Sequence, residues 1–115
     1  MQIIRHLAET QSCIIIGKCA DFVLRDYTNV ISVYIEAPRR YCLRSVKGKL
    51  NVTDSKAAKM IEKTDKYRAE YYKYYTGGNY WTNPVNYDLT LNSERVGRER
   101  CVDIIENYVK MKFFQ

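Results

Sequence analysis

The segment VISVYIEAP, Val30 to Pro38, decides how this chain folds. Its apolar and β-branched residues form a strand of the kind buried on both faces, and Pro38 closes it because proline cannot donate to a ladder. The run CIIIG, Cys13 to Gly17, repeats that pattern upstream, and YDLTLNS, Tyr87 to Ser93, supplies a third strand downstream. The first two lie too far apart for a hairpin, which predicts a parallel sheet. The expected fold class is therefore α/β, a parallel sheet flanked by helices.

Helices are expected between these strands. Residues 2 to about 11 place Ile3, Ile4 and Leu7 on one face, with no cap before them, so the chain reads as beginning inside an element. A helix after Pro38 carries a basic cluster as far as Gly48. A longer one starts at Thr53 or Asp54, both able to accept from first-turn amides, and stops at Gly77 and Gly78, which offer a left-handed terminus. Lys56 stands where a capping box needs Glu or Gln, so that box is incomplete. GGNYWTNPVN is a loop, and Arg98 to Lys112 form a closing helix with Val102, Ile105 and Val109 as its stripe.

A chain of 115 residues holds one small domain. No apolar run approaches the roughly 20 residues of a membrane-spanning helix, and no secretory leader is recognisable, so a cytoplasmic protein without a membrane partner is expected. Cys13, Cys19, Cys42 and Cys101 form no CxxC pair, and only His6 could join them, so reduced thiols are expected rather than a metal site. The net charge of +6, with Arg39, Arg40, Arg44, Lys47 and Lys49 clustered without an acid, points to an anionic partner: a nucleotide's phosphates or nucleic acid.

The stretch EKTDKYRAEYYKYYTGG, Glu62 to Gly78, can carry chemistry. On a helix Asp65 and Arg68 are neighbours three apart, and Tyr72 sits one turn beyond Arg68 on the same side. They form either a surface ion pair or a grip in which Arg68 holds an anion and Asp65 orients it, since a guanidinium fork matches phosphate oxygens. The paired tyrosines at 71/72 and 74/75 wrap round most of the helix, which favours packing over a base-stacking platform. Nucleic acid is thus the less favoured partner.

Together these motifs resemble the cytidylate kinase-like branch of the P-loop nucleoside monophosphate kinases. SCIIIGKCADFVL is similar to that family's strand and G-R-x-A-D turn, VYIEAP to the strand before its arginine-bearing helix, EKTDKYRAEYYKYYTG to its D-K-x-R-x-x-Y-Y lid, and YDLTLNS to its last strand. The resemblance implies one partial kinase domain over 1–115 with a lid-like helical segment at about 51–78. It implies a catalytic role for Arg68, nucleotide binding by Lys18, Asp21 and Asp65, and donor-phosphate binding by Arg44 and Lys63. The implied activity is ATP-dependent phosphoryl transfer to CMP or a similar nucleoside monophosphate.

Lys18 stands where that family has arginine and lacks its bidentate fork, and Cys42 and Ser45 occupy positions that are often basic in relatives. No GxxxxGK[ST] loop occurs, so the chain resembles the C-terminal portion of the kinase, lacking the fold's first strands. ATP and Mg²⁺ serve the complete family, and neither is expected to bind this chain tightly. Alone it is expected to be inactive, either an incomplete kinase or a nucleotide- or anion-binding remnant. In the family's sheet a further strand lies between CIIIG and VYIEAP, and the expected remedies are re-pairing, a homo-oligomer or a missing N-terminal half.

Overall fold

The computed structural model describes residues 2–17 and 19–114. It opens with α1 (Gln2–Thr10) and the short α2 (Ala20–Val23), followed by strand β1 (Val33–Glu36). Helices α3 (Arg39–Leu50) and α4 (Asp54–Tyr75) come next, then β2 (Leu89–Asn92), α5 (Ser93–Val96) and α6 (Arg98–Phe113). The strands pair in parallel, Val33 opposite Leu89 and Glu36 opposite Asn92. The α/β class and the parallel pairing agree with the sequence. Both strands are shorter than expected, because pairing extends only where the two segments lie side by side.

The expected strand at Cys13–Gly17 is absent. Among the described residues β1 pairs only with β2, so one edge of β1 is unpaired. Ile14 and Ile16 are 93% and 87% exposed rather than buried on two faces. A β-branched run has no intrinsic strand geometry to keep when no neighbour accepts its N–H groups.

Helix ends follow local chemistry. Thr53 caps α4 by accepting from the Lys56 amide at 3.3 Å, the half of the capping box the sequence supplies. At the other end Gly77 and Gly78 have φ of +72° and +113°, and the Gly78 amide donates to the Lys73 carbonyl at 2.9 Å, the six-to-one bond of a Schellman terminus. In α6 Ile105 and Val109 are partly buried as expected, but Cys101 takes the inner position in place of Val102, which is 54% exposed. On the same side, the Tyr108 hydroxyl donates to Asp88 at 2.9 Å.

The buried residues are few: Cys19, Ala20, Val23 and Leu24 around α2, with Ala57, Tyr72, Leu91 and Cys101 from α4, β2 and α6. The radius of gyration is 15.8 Å, against about 13 Å for a closed domain of this length. This is an open α/β body whose small core sits where α2 meets α4 and the strands.

Candidate functional site

The face of α4 that turns to the sheet carries Asp65, Arg68 and Tyr72, as their three- and four-residue spacing requires. Tyr72 is buried, and its hydroxyl donates to Asp21 of α2 at 2.7 Å. Burial first, and then the bond to Asp21, push the Tyr72 phenol far above its ordinary value. Tyr87 is raised by burial and then by Asp21, and the Cys19 thiol is raised by the same two causes. Burial is thus the main cause for all three weak acids, and the nearby Asp21 carboxylate adds to it.

One turn earlier, Arg68 lies over the ring of Trp81, its guanidinium carbon 5.4 Å from the centroid. The loop Thr76–Tyr87 fixes that ring through its own polar side chains. The Asn79 amide donates to Thr76 Oγ1 at 3.0 Å, Asn79 Nδ2 to Asn86 Oδ1 at 2.8 Å, and Asn86 Nδ2 to the Tyr80 carbonyl at 2.8 Å. Tyr87 Oη donates to the carbonyl of Trp81 itself at 2.6 Å. On β1, Tyr34 stacks on Tyr87 at 5.2 Å and meets Trp81 edge-on at 5.4 Å. Burial lifts the Tyr34 phenol; Glu36 and Asp65 add to this and Arg68 opposes it, so Asp65 and Arg68 act on the same hydroxyl.

Asp65 and Arg68 are not an ion pair: among the described residues the ionic contacts are Arg40–Glu94, Arg44–Glu94, Lys47–Asp54 and Lys112–Asp88. Arg44 therefore has a different situation from Arg68. Its Nη2 donates to Glu94 at 3.2 Å and that of Arg40 does so at 2.7 Å, on a carboxylate largely shielded from solvent beyond the ends of both strands. Lys63 is exposed, and two positions of helix put it about 200° round α4 from Asp65, on the outer side. Lys18 lies outside the described residues. The fold thus brings Asp21, Asp65 and Arg68 to one side of α4 and leaves Arg44 and Lys63 apart from them.

Asp21 also forms part of the wall of an open cleft of about 410 Å³ at the amino ends of the strands, with Arg25, Ser32, Asn86, Asp88 and Lys112. Asp88 and Lys112 already satisfy each other there, and Lys112 Nζ also donates to the Val30 carbonyl at 2.6 Å. Asp21 and Arg25 remain as the charged groups facing the space.

The tyrosines divide as packing round a helix requires, one buried and the others covering their neighbours. Only Tyr72 is buried, whereas Tyr67, Tyr74, Tyr75 and Tyr80 are 67%, 79%, 47% and 62% exposed. Other rings cover one another, Tyr71 meeting Tyr75 at 4.5 Å and Tyr67 at 6.1 Å. The sequence placed Tyr72 beside Arg68 but gave no sign that Trp81 and Glu94 would contact the arginines, or that Tyr34 would pack on Trp81, because those contacts join distant segments.

An uncharacterized protein from Eubacterium ventriosum ATCC 27560 has a crystal structure similar to this one, with a TM-score of 0.83 at 26% identity over 96% of this chain. The chain spans 62% of the length of that protein. No curated protein matches the chain. The model of the cytidylate kinase-like family matches residues 1–95, which include α2, both strands and the whole of α4. By that match, carried through the segments that hold Asp21, Asp65 and Arg68, the chain belongs to the cytidylate kinase-like family.

Proposed function

We propose that this chain is the acceptor-gripping portion of a nucleoside monophosphate kinase, binding CMP or a similar nucleotide without turning it over alone. The observation that carries the reading is the placement of Arg68, a guanidinium with no carboxylate partner among the described residues, beside Asp65 and one turn from the Tyr72–Asp21 bond. A free fork suits a phosphate, and carboxylates nearby suit the donors of a base or sugar. In phosphoryl transfer the protein supplies positioning and charge stabilisation, and Arg68 is the group here that can do both.

The residues present do not fit ATP with Mg²⁺. The fork of Arg44 is engaged by Glu94, and Gly77 and Gly78 follow a helix rather than opening one. No step through the donor is therefore assigned to this chain.

Calorimetric titration with CMP, UMP and AMP tests the reading. Binding is expected for at least one of them, and Arg68→Ala should weaken it by about 1.5–3 kcal/mol, the worth of a charged hydrogen bond. Equal binding, or equal silence, in both proteins removes the proposal. Incubation with ATP, Mg²⁺ and CMP is expected to give no ADP above a control without acceptor; clear turnover would overturn the second half of it.

A further inference from the structure

We infer that Trp81 is a positioning residue for Arg68, holding the guanidinium by its ring while leaving the hydrogen-bonding edge free for an anion. The inference rests on the nucleotide reading above and adds a residue to it. Two ways of holding an arginine are present in this molecule. Arg40 and Arg44 donate to the Glu94 carboxylate, which occupies their forks. Arg44 also lies over the Tyr41 ring at 5.9 Å, whereas Arg68 has its indole at 5.4 Å and no carboxylate contact among the described residues.

The difference has chemical consequences. A carboxylate competes with an incoming phosphate for the same N–H groups, so displacing it costs an ion pair. An aromatic face attracts the cation through its quadrupole and accepts little from the in-plane donors. An arginine held in this way is restrained without being neutralised. The ring is itself restrained: Tyr87 Oη bonds the Trp81 carbonyl, Tyr34 packs against the indole, and three asparagines brace the loop. The long side chain of Arg68 consequently loses conformational freedom before any ligand arrives, which lowers the ordering cost of binding.

Trp81 is the only tryptophan of the chain, so its emission reports on the surroundings of this one indole, Arg68 and Tyr34 among them. Arg68→Ala is expected to change that emission, whereas Lys66→Ala, which removes the same charge two positions away and about 200° round the helix, should leave it unchanged. An unaltered spectrum in Arg68→Ala would overturn the inference whatever the nucleotide does.

The second arm is a CMP titration of the full chain. Trp81→Ala should weaken binding about two- to thirtyfold, the range of a cation held over a ring, and Trp81→Phe should recover most of the loss. In the Arg68→Ala background Trp81→Ala should have almost no further effect, because the tryptophan acts through the arginine. Independent, additive losses, or no rescue by phenylalanine, would refute the positioning role. Should the spectrum respond while the unsubstituted chain ignores every nucleotide, the nucleotide reading fails and takes this assignment of Trp81 with it.

Discussion

Arg44 and Arg68 carry the same guanidinium, and their neighbours give it different uses. Glu94 holds Arg40 and Arg44, whose side chains are themselves mostly exposed. Such pairs contribute little to stability because water screens the charges and both side chains lose freedom. Glu94→Gln is therefore expected to cost under about 1 kcal/mol in urea unfolding while strengthening the binding of inorganic pyrophosphate, measured by calorimetry, as two forks become available. Unchanged pyrophosphate affinity would show that the forks are not what limits anion binding there.

Asp21 sets a second residue-scale expectation. The folded state holds the Tyr72 and Tyr87 protons more tightly than the unfolded chain, whose phenols titrate near the ordinary value of 10.0. Below that value both states carry the protons and stability does not depend on these groups. Above it the unfolded chain ionises first, so stability falls as pH rises. Urea midpoints at about pH 8 and about pH 11 should differ, and Tyr72→Phe should reduce the difference at the expense of about 1 kcal/mol at neutral pH from the lost bond. The same pH dependence in Tyr72→Phe would assign the alkaline loss to other groups.

At the scale of elements, α4 was the most legible part of the molecule. Its cap, its sheet-facing residues and its glycine stop all depend on chemistry within a few positions, and the helix runs from Asp54 to Tyr75 as that chemistry requires. Gly77 lies at φ +72° with no atom near a would-be Cβ, so Gly77→Ala should cost about 1–2 kcal/mol from backbone strain alone. Gly48, inside α3 and also uncrowded, offers the opposite case. Gly48→Ala is expected to gain about 0.5–1 kcal/mol from helix propensity. Thermal melts of the two variants should move in opposite directions. Strands were less legible, and CIIIG failed as one because a strand is a relation between two segments whereas a helix turn is closed within one.

Over the whole molecule, the 46% apolar composition exceeds what the fold buries. Ile14, Ile16 and Ile35 lie exposed, and one side of β1 has free backbone donors and acceptors. Unpaired edges with β-branched neighbours template association with other chains. We expect concentration-dependent association by sedimentation, reduced in an Ile14→Lys, Ile16→Lys double variant. A chain that stays monomeric at high concentration, or a variant that associates as strongly, would count against this source of stickiness.

From the sequence alone followed what depends on near neighbours: the main helices and their ends, and the grouping of Asp65, Arg68 and Tyr72 on one side of α4. Only the tertiary structure decided that Arg44 meets Glu94 while Arg68 lies over Trp81 without a carboxylate, that Tyr72 meets Asp21, and that the first predicted strand has no partner among the described residues. The reason is the range of the interactions. Helical bonds close within four residues, while ladders, ion pairs and ring contacts join positions tens of residues apart, and their partners exist only once the chain has folded.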